Sequence, residues 1–264
     1  MSSAASSTRK SQRRSKHKRK SLRSARRASI RSHRKNGFTE HGLSQVVKKY
    51  FETFKVQKDY YGEPTDAYTF EIKCTDRRVM GYSDMHPRVI FTIYPSKVVE
   101  IDYLTKCIGK TGAAMLRNII DISIEWGASQ ITLSDASTFG CEIPLSIYHI
   151  LKDGFSWYHK FGFVSENDEK EMEHNEKIRN KPLSEFIHLI LSNTSVNPEH
   201  LLSRWHELFP ESREDPTIHD IIKKIPISEF MEDCDDPRTK LLEETFTYAK
   251  KGGIQYKTKL HLVL

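Results

Sequence analysis

The chain's most suggestive chemistry sits in a short turn, Gly109-Lys110-Thr111-Gly112-Ala113-Ala114, between a β-rich run and an apparent helix. Gly-Lys-Thr is the ending of the nucleotide-binding pattern GxxxxGK[ST], whose first glycine opens a nest of backbone N–H groups for phosphate. Here the position five residues before Gly109 is Leu104, inside the β-rich run, and a second glycine follows the lysine. The nucleotide-loop reading fails on that spacing. What remains is a strand, a turn of small residues and a helix. Small side chains let backbone N–H groups approach an anion, and the helix dipole favours negative charge at that end. A plain connecting turn is the competing reading.

Other reactive residue types form no comparable pattern. The four cysteines (Cys74, Cys107, Cys141, Cys234) are widely separated without paired-ligand spacing, and the twelve histidines are scattered without HExxH. No metal site is expected. Neither Cys107 nor Cys141 has a histidine partner evident in the sequence, so both read as structural thiols. The N-terminus lacks the apolar segment of a secretory signal, and no apolar run approaches the ~20 residues that span a bilayer. These features predict an intracellular protein with reduced thiols and no membrane contact.

Charge divides the chain sharply. Residues 1–39 carry 14 Lys or Arg and no acid, whereas residues 40–264 hold 28 basic and 35 acidic groups. The pI of about 9.1 therefore describes a tail rather than a basic fold. That tail is Ser, Arg and Lys with almost nothing apolar, too little to offset its ordering entropy, and it is expected to be disordered. It resembles a nuclear-targeting run, suits non-specific DNA or RNA binding, and is compatible with a nuclear or virion-associated protein. A solubilising tail is the bland alternative. The acidic remainder would attract basic acceptors such as lysine-rich peptides or polyamines, weakly in physiological salt.

The elements that must position the turn are legible from periodicity. Residues 43–56 place Val46, Val47, Tyr50, Phe51 and Phe54 at helical spacing. Segments 66–74, 88–94 and 97–107 are β-branched and aromatic, the last two joined through Tyr94-Pro95-Ser96-Lys97 as a hairpin. A helix follows the turn, with Leu116, Ile119, Ile120, Ser123 and Ile124 on one face and Gly127 as its cap. Residues 129–137 read as a strand, 143–163 as a helical stretch ending at Gly162, and Phe163-Val164 as a short strand. The run 166–177 is a charged helix or linker. Three short amphipathic patterns follow, and 255–264 alternates like a strand. The predicted fold class is α/β, a mixed sheet with flanking helices: a basic tail (1–39), a core (40–164), a helical segment (165–254) and a terminal strand (255–264) completing the core.

Tyr158-His159-Lys160-Phe161-Gly162-Phe163 matches the Yx[KR]xGF ending of the second motif helix in the GNAT superfamily of acyl-CoA-dependent N-acetyltransferases, and Gly112-Ala113-Ala114 matches half of its [Q/R]xxGx[G/A] pyrophosphate loop. Between these, strand, loop, helix and strand occur in the family's order, so that residues 88–164 resemble that superfamily. Their IPLS and SWY stretches resemble viral members. Two departures stand out: Gly109 occupies the Q/R position, and a longer segment precedes Leu151, where many members have Asn.

The resemblance implies direct transfer of an acetyl group from acetyl-CoA to an amine. Residues Gly109, Lys110, Thr111, Gly112, Ala113 and Ala114 would bind the cofactor. Deprotonating a lysine-like amine at pH 7 costs on the order of 4–5 kcal/mol, so a base is needed. Glu100 and Asp102, two apart on one strand, and Asp135, near the end of the next, are the candidates, against a reading as solvent-facing acids. Tyr158 stands where the family carries its general acid, against a reading as a packing aromatic. The alternative function is a non-catalytic nucleic-acid-associated protein built on a degenerate acetyltransferase fold.

The tail generates the first test. Duplex binding should be sequence-independent, fall steeply with salt and disappear on removal of residues 1–39, because the acidic remainder repels phosphate. Binding of unrelated duplexes by full-length and 40–264 protein at two salt concentrations measures this. Retained binding by the shorter chain would place the nucleic-acid surface elsewhere.

Overall fold

A computed structural model describes residues 38–58, 66–73, 88–104, 111–138, 143–225 and 233–264. It is an α/β structure with a mixed sheet whose strands neighbour one another in the order β1-β2-β3-β4-β5-β6. The chain resolves into two compact units, residues up to Leu133 with Leu262–Leu264, and Ser134–His261.

The first unit opens with helix α1 (Glu40–Val47), whose N-terminus is capped by the Thr39 hydroxyl accepting from Gly42 N–H. Helical spacing continues in the sequence to Phe54, but α1 stops at Val47 and β1 (Phe54–Lys58) begins instead. The reason is cross-strand packing: Phe54 meets Phe70 of β2 (Tyr68–Ile72) at a ring separation of 5.8 Å, and β1 and β2 pair antiparallel. Strand β3 (Val89–Ile93) returns to β4 (Val98–Leu104) through the expected turn, with Lys97 N–H donating to the Tyr94 carbonyl and Lys97 at φ 65°. Helix α2 (Gly112–Trp126) then leads to β5 (Gln130–Ser134), which lies parallel to β4.

Strand alternation sorts this sheet into two faces. Val56, Phe70, Phe91, Ile101 and Leu133 are successive cross-strand partners, forming one apolar row. One residue along, Gln57, Thr69, Thr92, Glu100 and Thr132 form a polar row. Helix α2 ends where Gly127, at φ 86°, donates to Ser123 and Ile124 carbonyls while Ala128 reaches back to Ser123. Its Glu125 accepts from Lys49 and from the Tyr50 hydroxyl at 3.2 Å, holding the chain after α1 against α2. Burial, then the Glu125 charge, push the Tyr50 phenol up to about 12.

The second unit is mainly helical. Helix α3 (Leu145–Asp153) ends at left-handed Gly154, and a 3₁₀ turn (Trp157–Phe161) follows, so the predicted helix 143–163 is two elements. After them come α4 (Asp168–Arg179), α5 (Leu183–Leu191), α6 (Pro198–Leu208), α7 (Ile218–Lys224) and α8 (Pro237–Gly252). Strand β6 (Lys259–Val263) begins in this unit, where His261 and Val164 exchange backbone bonds of 2.9 Å. Phe186, Trp205, Ile222, Leu241 and Phe246 anchor the helical core, and the Trp205 indole N–H donates to buried Thr245 at 3.1 Å. Cys234 is disulfide-bonded, which corrects the expectation of reduced thiols at this position. Separation along the sequence carried no information about separation in space. The other cysteines, and residues 1–37 of the tail, lie outside the described residues.

The ends of α5 and α8 meet so closely that one residue type fits. A Cβ on Gly252 would sit 2.4 Å from the Ile190 carbonyl oxygen, whereas the nearest atom to one on Gly253 would be in the Ile190 side chain, at 3.2 Å. Gly252→Ala should destabilise by about 1–3 kcal/mol, the usual cost of overpacking, and Gly253→Ala by distinctly less. Urea unfolding of both variants measures the difference, and equal effects would contradict the close approach.

Candidate functional site

The predicted acids of the first unit stand together on β4. The β3–β4 register runs Phe91↔Ile101, then Ile90↔Tyr103, so Asp102 is an extra residue, a β-bulge in β4. Glu100 lies opposite Thr92 and accepts from the Tyr94 hydroxyl at 2.9 Å. Asp102 accepts from the Thr92 hydroxyl at 3.1 Å. Because Thr92 has one hydroxyl proton and gives it to Asp102, the 2.9 Å contact with Thr69 makes Thr69 the donor there. The result is a hydroxyl relay, Thr69 to Thr92 to Asp102, across three strands. The sequence reading named neither threonine, although their place two residues along β-rich runs was the available signal.

Asp102 is an exposed residue whose carboxyl is nonetheless partly desolvated. Partial desolvation pushes its pKa from 3.8 to about 6; the Thr92 hydrogen bond opposes this and the Glu100 charge adds to it. β4 runs on from Asp102 to Leu104, beyond its last pairing with β5 at Ile101↔Leu133. The carboxyl ends of adjoining parallel strands, where pairing stops, are the usual place for ligands in open α/β sheets.

At the start of α2, Thr111 is the N-cap and its hydroxyl accepts from Ala114 N–H at 3.2 Å. Met115 N–H is taken by the Thr111 carbonyl. The Gly112 and Ala113 N–H groups meet no acceptor among the described residues. Beyond its chain neighbours and its own helix backbone, no heavy atom of the described residues lies within 4 Å of the place a Gly112 Cβ would take, and the first turn holds no acid. Gly109 and Lys110 lie outside the described residues.

The second unit brings together Asp135 and Tyr158, and adds residues the sequence did not mark. Asp135 is 3% exposed. Its Oδ1 accepts from Ser137 N–H at 3.2 Å and from the Ser137 hydroxyl, and its Oδ2 from the Tyr256 hydroxyl. Burial, then the Asp135 charge, push the Tyr158 phenol up, with the Ser137 hydroxyl opposing. Tyr256 is pushed up by burial first, then by Asp135, with Ser146 opposing. Both phenols therefore stay protonated through any ordinary pH range. Tyr158 is a persistent hydrogen-bond donor, and transfer of its proton is hard.

A second constellation looks catalytic and is not. Ser156 Oγ lies 2.8 Å from His159 Nδ1, and His159 Nε2 lies 2.6 Å from Asp168 Oδ1, the connectivity of a Ser-His-Asp triad. Ser156, however, has no solvent exposure. A nucleophile needs access, so this group instead locks the 3₁₀ turn to the start of α4.

Asp102 yields a signed prediction. A carboxyl whose pKa is higher in the fold than in the unfolded chain binds more protons when folded. Its contribution to stability is therefore greatest at low pH, and is lost between 3.8 and about 6. Asp102→Asn should raise Tm at pH 7.5 by about 1–3 °C, a small gain because the group is partly exposed, and the gain should vanish near pH 4. Thermal scans across that range test this; a pH-independent difference would remove the shift. Comparison of the chain with protein-family models, with curated proteins and with solved structures gives no match.

Proposed function

We propose that the chain is an acyl-CoA-dependent N-acyltransferase acting on an amine, with a GNAT-like fold. The observation that carries this reading is the end of β4–β5 pairing at the bulge, ahead of a helix whose first turn has, among the described residues, two N–H groups without an acceptor and nothing against a Gly112 Cβ. A pyrophosphate suits that end of α2, because the helix dipole and N–H groups favour negative charge without a basic side chain. Thr111, Gly112, Ala113 and Ala114 would hold it, with Gly109 and Lys110 included through the resemblance. Thr111 caps one N–H itself and leaves the other two for the ligand.

Acetyl-CoA, when bound, supplies an acyl group already activated as a thioester. Among the acids, Asp102 is the preferred base. A carboxylate near pKa 6 is better matched to neutral pH than an ordinary one, and the Thr92 hydroxyl fixes its orientation. Glu100 adds negative charge that keeps the Asp102 pKa high. Asp135 is the weakest candidate, because both its oxygens already accept from internal donors. Tyr158 is carried over only through the YxKxGF likeness, as a hydrogen-bond donor that retains its proton.

Acetyl-CoA at about 100 times Kd should stabilise the protein by about 2.7 kcal/mol, a Tm rise of roughly 5–10 °C for a chain of this size. ATP should give none. Gly112→Gln should fold normally, since its Cβ meets nothing, yet lose the acetyl-CoA response. No shift at millimolar acetyl-CoA would overturn the reading and favour the non-catalytic alternative.

A further inference from the structure

The second unit contains a cleft of about 580 Å³ whose lining is unusually rich in hydroxyls. On one side lie Asp135, Ser137 and Thr138, with Pro144 and Ser146 at the start of α3; on the other is the C-terminal part of α8, with Thr247, Lys250 and Lys251. Neither lysine pairs with a carboxylate among the described residues, and both are exposed. The neighbouring basic residue of α8, Lys240, is by contrast bonded to Asp235 at 2.8 Å, and Arg204 is bonded to Glu244.

The lining's charges favour one sign of ligand. Asp135 is the only carboxylate among the described residues that line it, and both oxygens are already occupied by Ser137 and Tyr256. It therefore has little left to offer a cation. The C-terminal end of α8 contributes roughly half a negative charge, against two full positive charges from the lysines. Glu243 and Glu244 line the adjoining groove rather than this cleft. The bland role of Lys250 and Lys251, complementing the helix dipole, explains their position in the last turn. It does not explain the Thr138 and Thr247 hydroxyls that line the same cleft, whereas Ser137 is bonded to Asp135 and Ser146 to Tyr256.

We propose that this cleft binds a small molecule carrying a phosphate monoester, with Lys250 and Lys251 neutralising the dianion and Thr138 and Thr247 supplying hydroxyl donors. Hydroxyls and ammonium groups are the donors a phosphate oxygen accepts from. A volume of about 580 Å³ lies within the roughly 300–1,000 Å³ of small-molecule sites, so the phosphate is one end of a larger ligand. This site does not rest on the acyl-transfer reading, and its test uses no CoA.

Full-length protein is titrated with glycerol 3-phosphate and, separately, with inorganic phosphate, at constant ionic strength held by chloride. Thermal shift and phosphorus-31 line broadening report binding. Lys250→Gln/Lys251→Gln in the same full-length chain keeps the basic tail, so any difference between the two proteins belongs to the cleft. Saturable binding of glycerol 3-phosphate, weakened at least tenfold in the double variant, supports the site, as does a further loss in Thr138→Val. Because all three side chains are exposed, normal folding of the variants is expected and far-UV circular dichroism checks it. Equal binding by variant and parent, or no saturation beyond that seen with chloride, would overturn the proposal. Tighter binding of inorganic phosphate than of the ester would overturn the larger-ligand part of it.

Discussion

An extended segment with no regular structure brings backbone groups that must find partners, and residues 254–258 impose that demand on the second unit. Three successive residues of the segment are held by three different polar side chains. Asn175 donates to the Gln255 carbonyl at 2.7 Å and accepts its N–H at 2.9 Å. Asp135 accepts from the Tyr256 hydroxyl, and Glu171 from Lys257 N–H at 3.4 Å. All three polar side chains are buried. Burying them without partners would cost several kcal/mol, so the segment and its anchors stabilise one another or neither is tenable.

This arrangement explains α4. Eight of its twelve residues are charged, and a surface helix or linker is the natural reading. Yet Glu171, Asn175 and Ile178, at helical spacing, turn inward. The two polar residues of that stripe serve the segment 254–258 rather than an apolar core. Periodicity methods weigh hydrophobicity, so a stripe made of Glu and Asn is invisible to them. The same blindness hid Tyr256, which read as one more residue of an alternating strand. Its partner is Asp135, 121 positions away, and no local pattern links the two.

Where the sequence was informative, the reason was equally physical. The β3–β4 hairpin was legible because its strands are β-branched and its turn holds Pro and Ser; the end of α2 was legible because a left-handed cap wants glycine. Glu100 and Asp102 were placed on one face by alternation alone. The bulge, the Thr69–Thr92 relay and the raised pKa of Asp102 depend on cross-strand register, which alternation does not supply. Helix α8 was missed despite Asp236 as N-cap and Pro237 in its first turn, both standard start signals. Its apolar residues are diluted by charge, and only packing against α3, α5 and α6 makes them a face.

Asp102 and Asp135 show how one residue type takes opposite roles. Asp135 is nearly inaccessible, and three hydrogen bonds consume its oxygens. A carboxylate so satisfied is a structural tie, and the cost of its burial is offset by donors that have no other task. Asp102 has one donor, a like charge in Glu100 nearby and partial access to water. Partial burial first, then the Glu100 charge, disfavour its charged form and raise its proton affinity, with the Thr92 hydroxyl opposing. The bulge produces that state. By adding a residue to β4 without one to β3, it leaves Asp102 without a cross-strand partner while keeping its carboxyl within reach of Thr92.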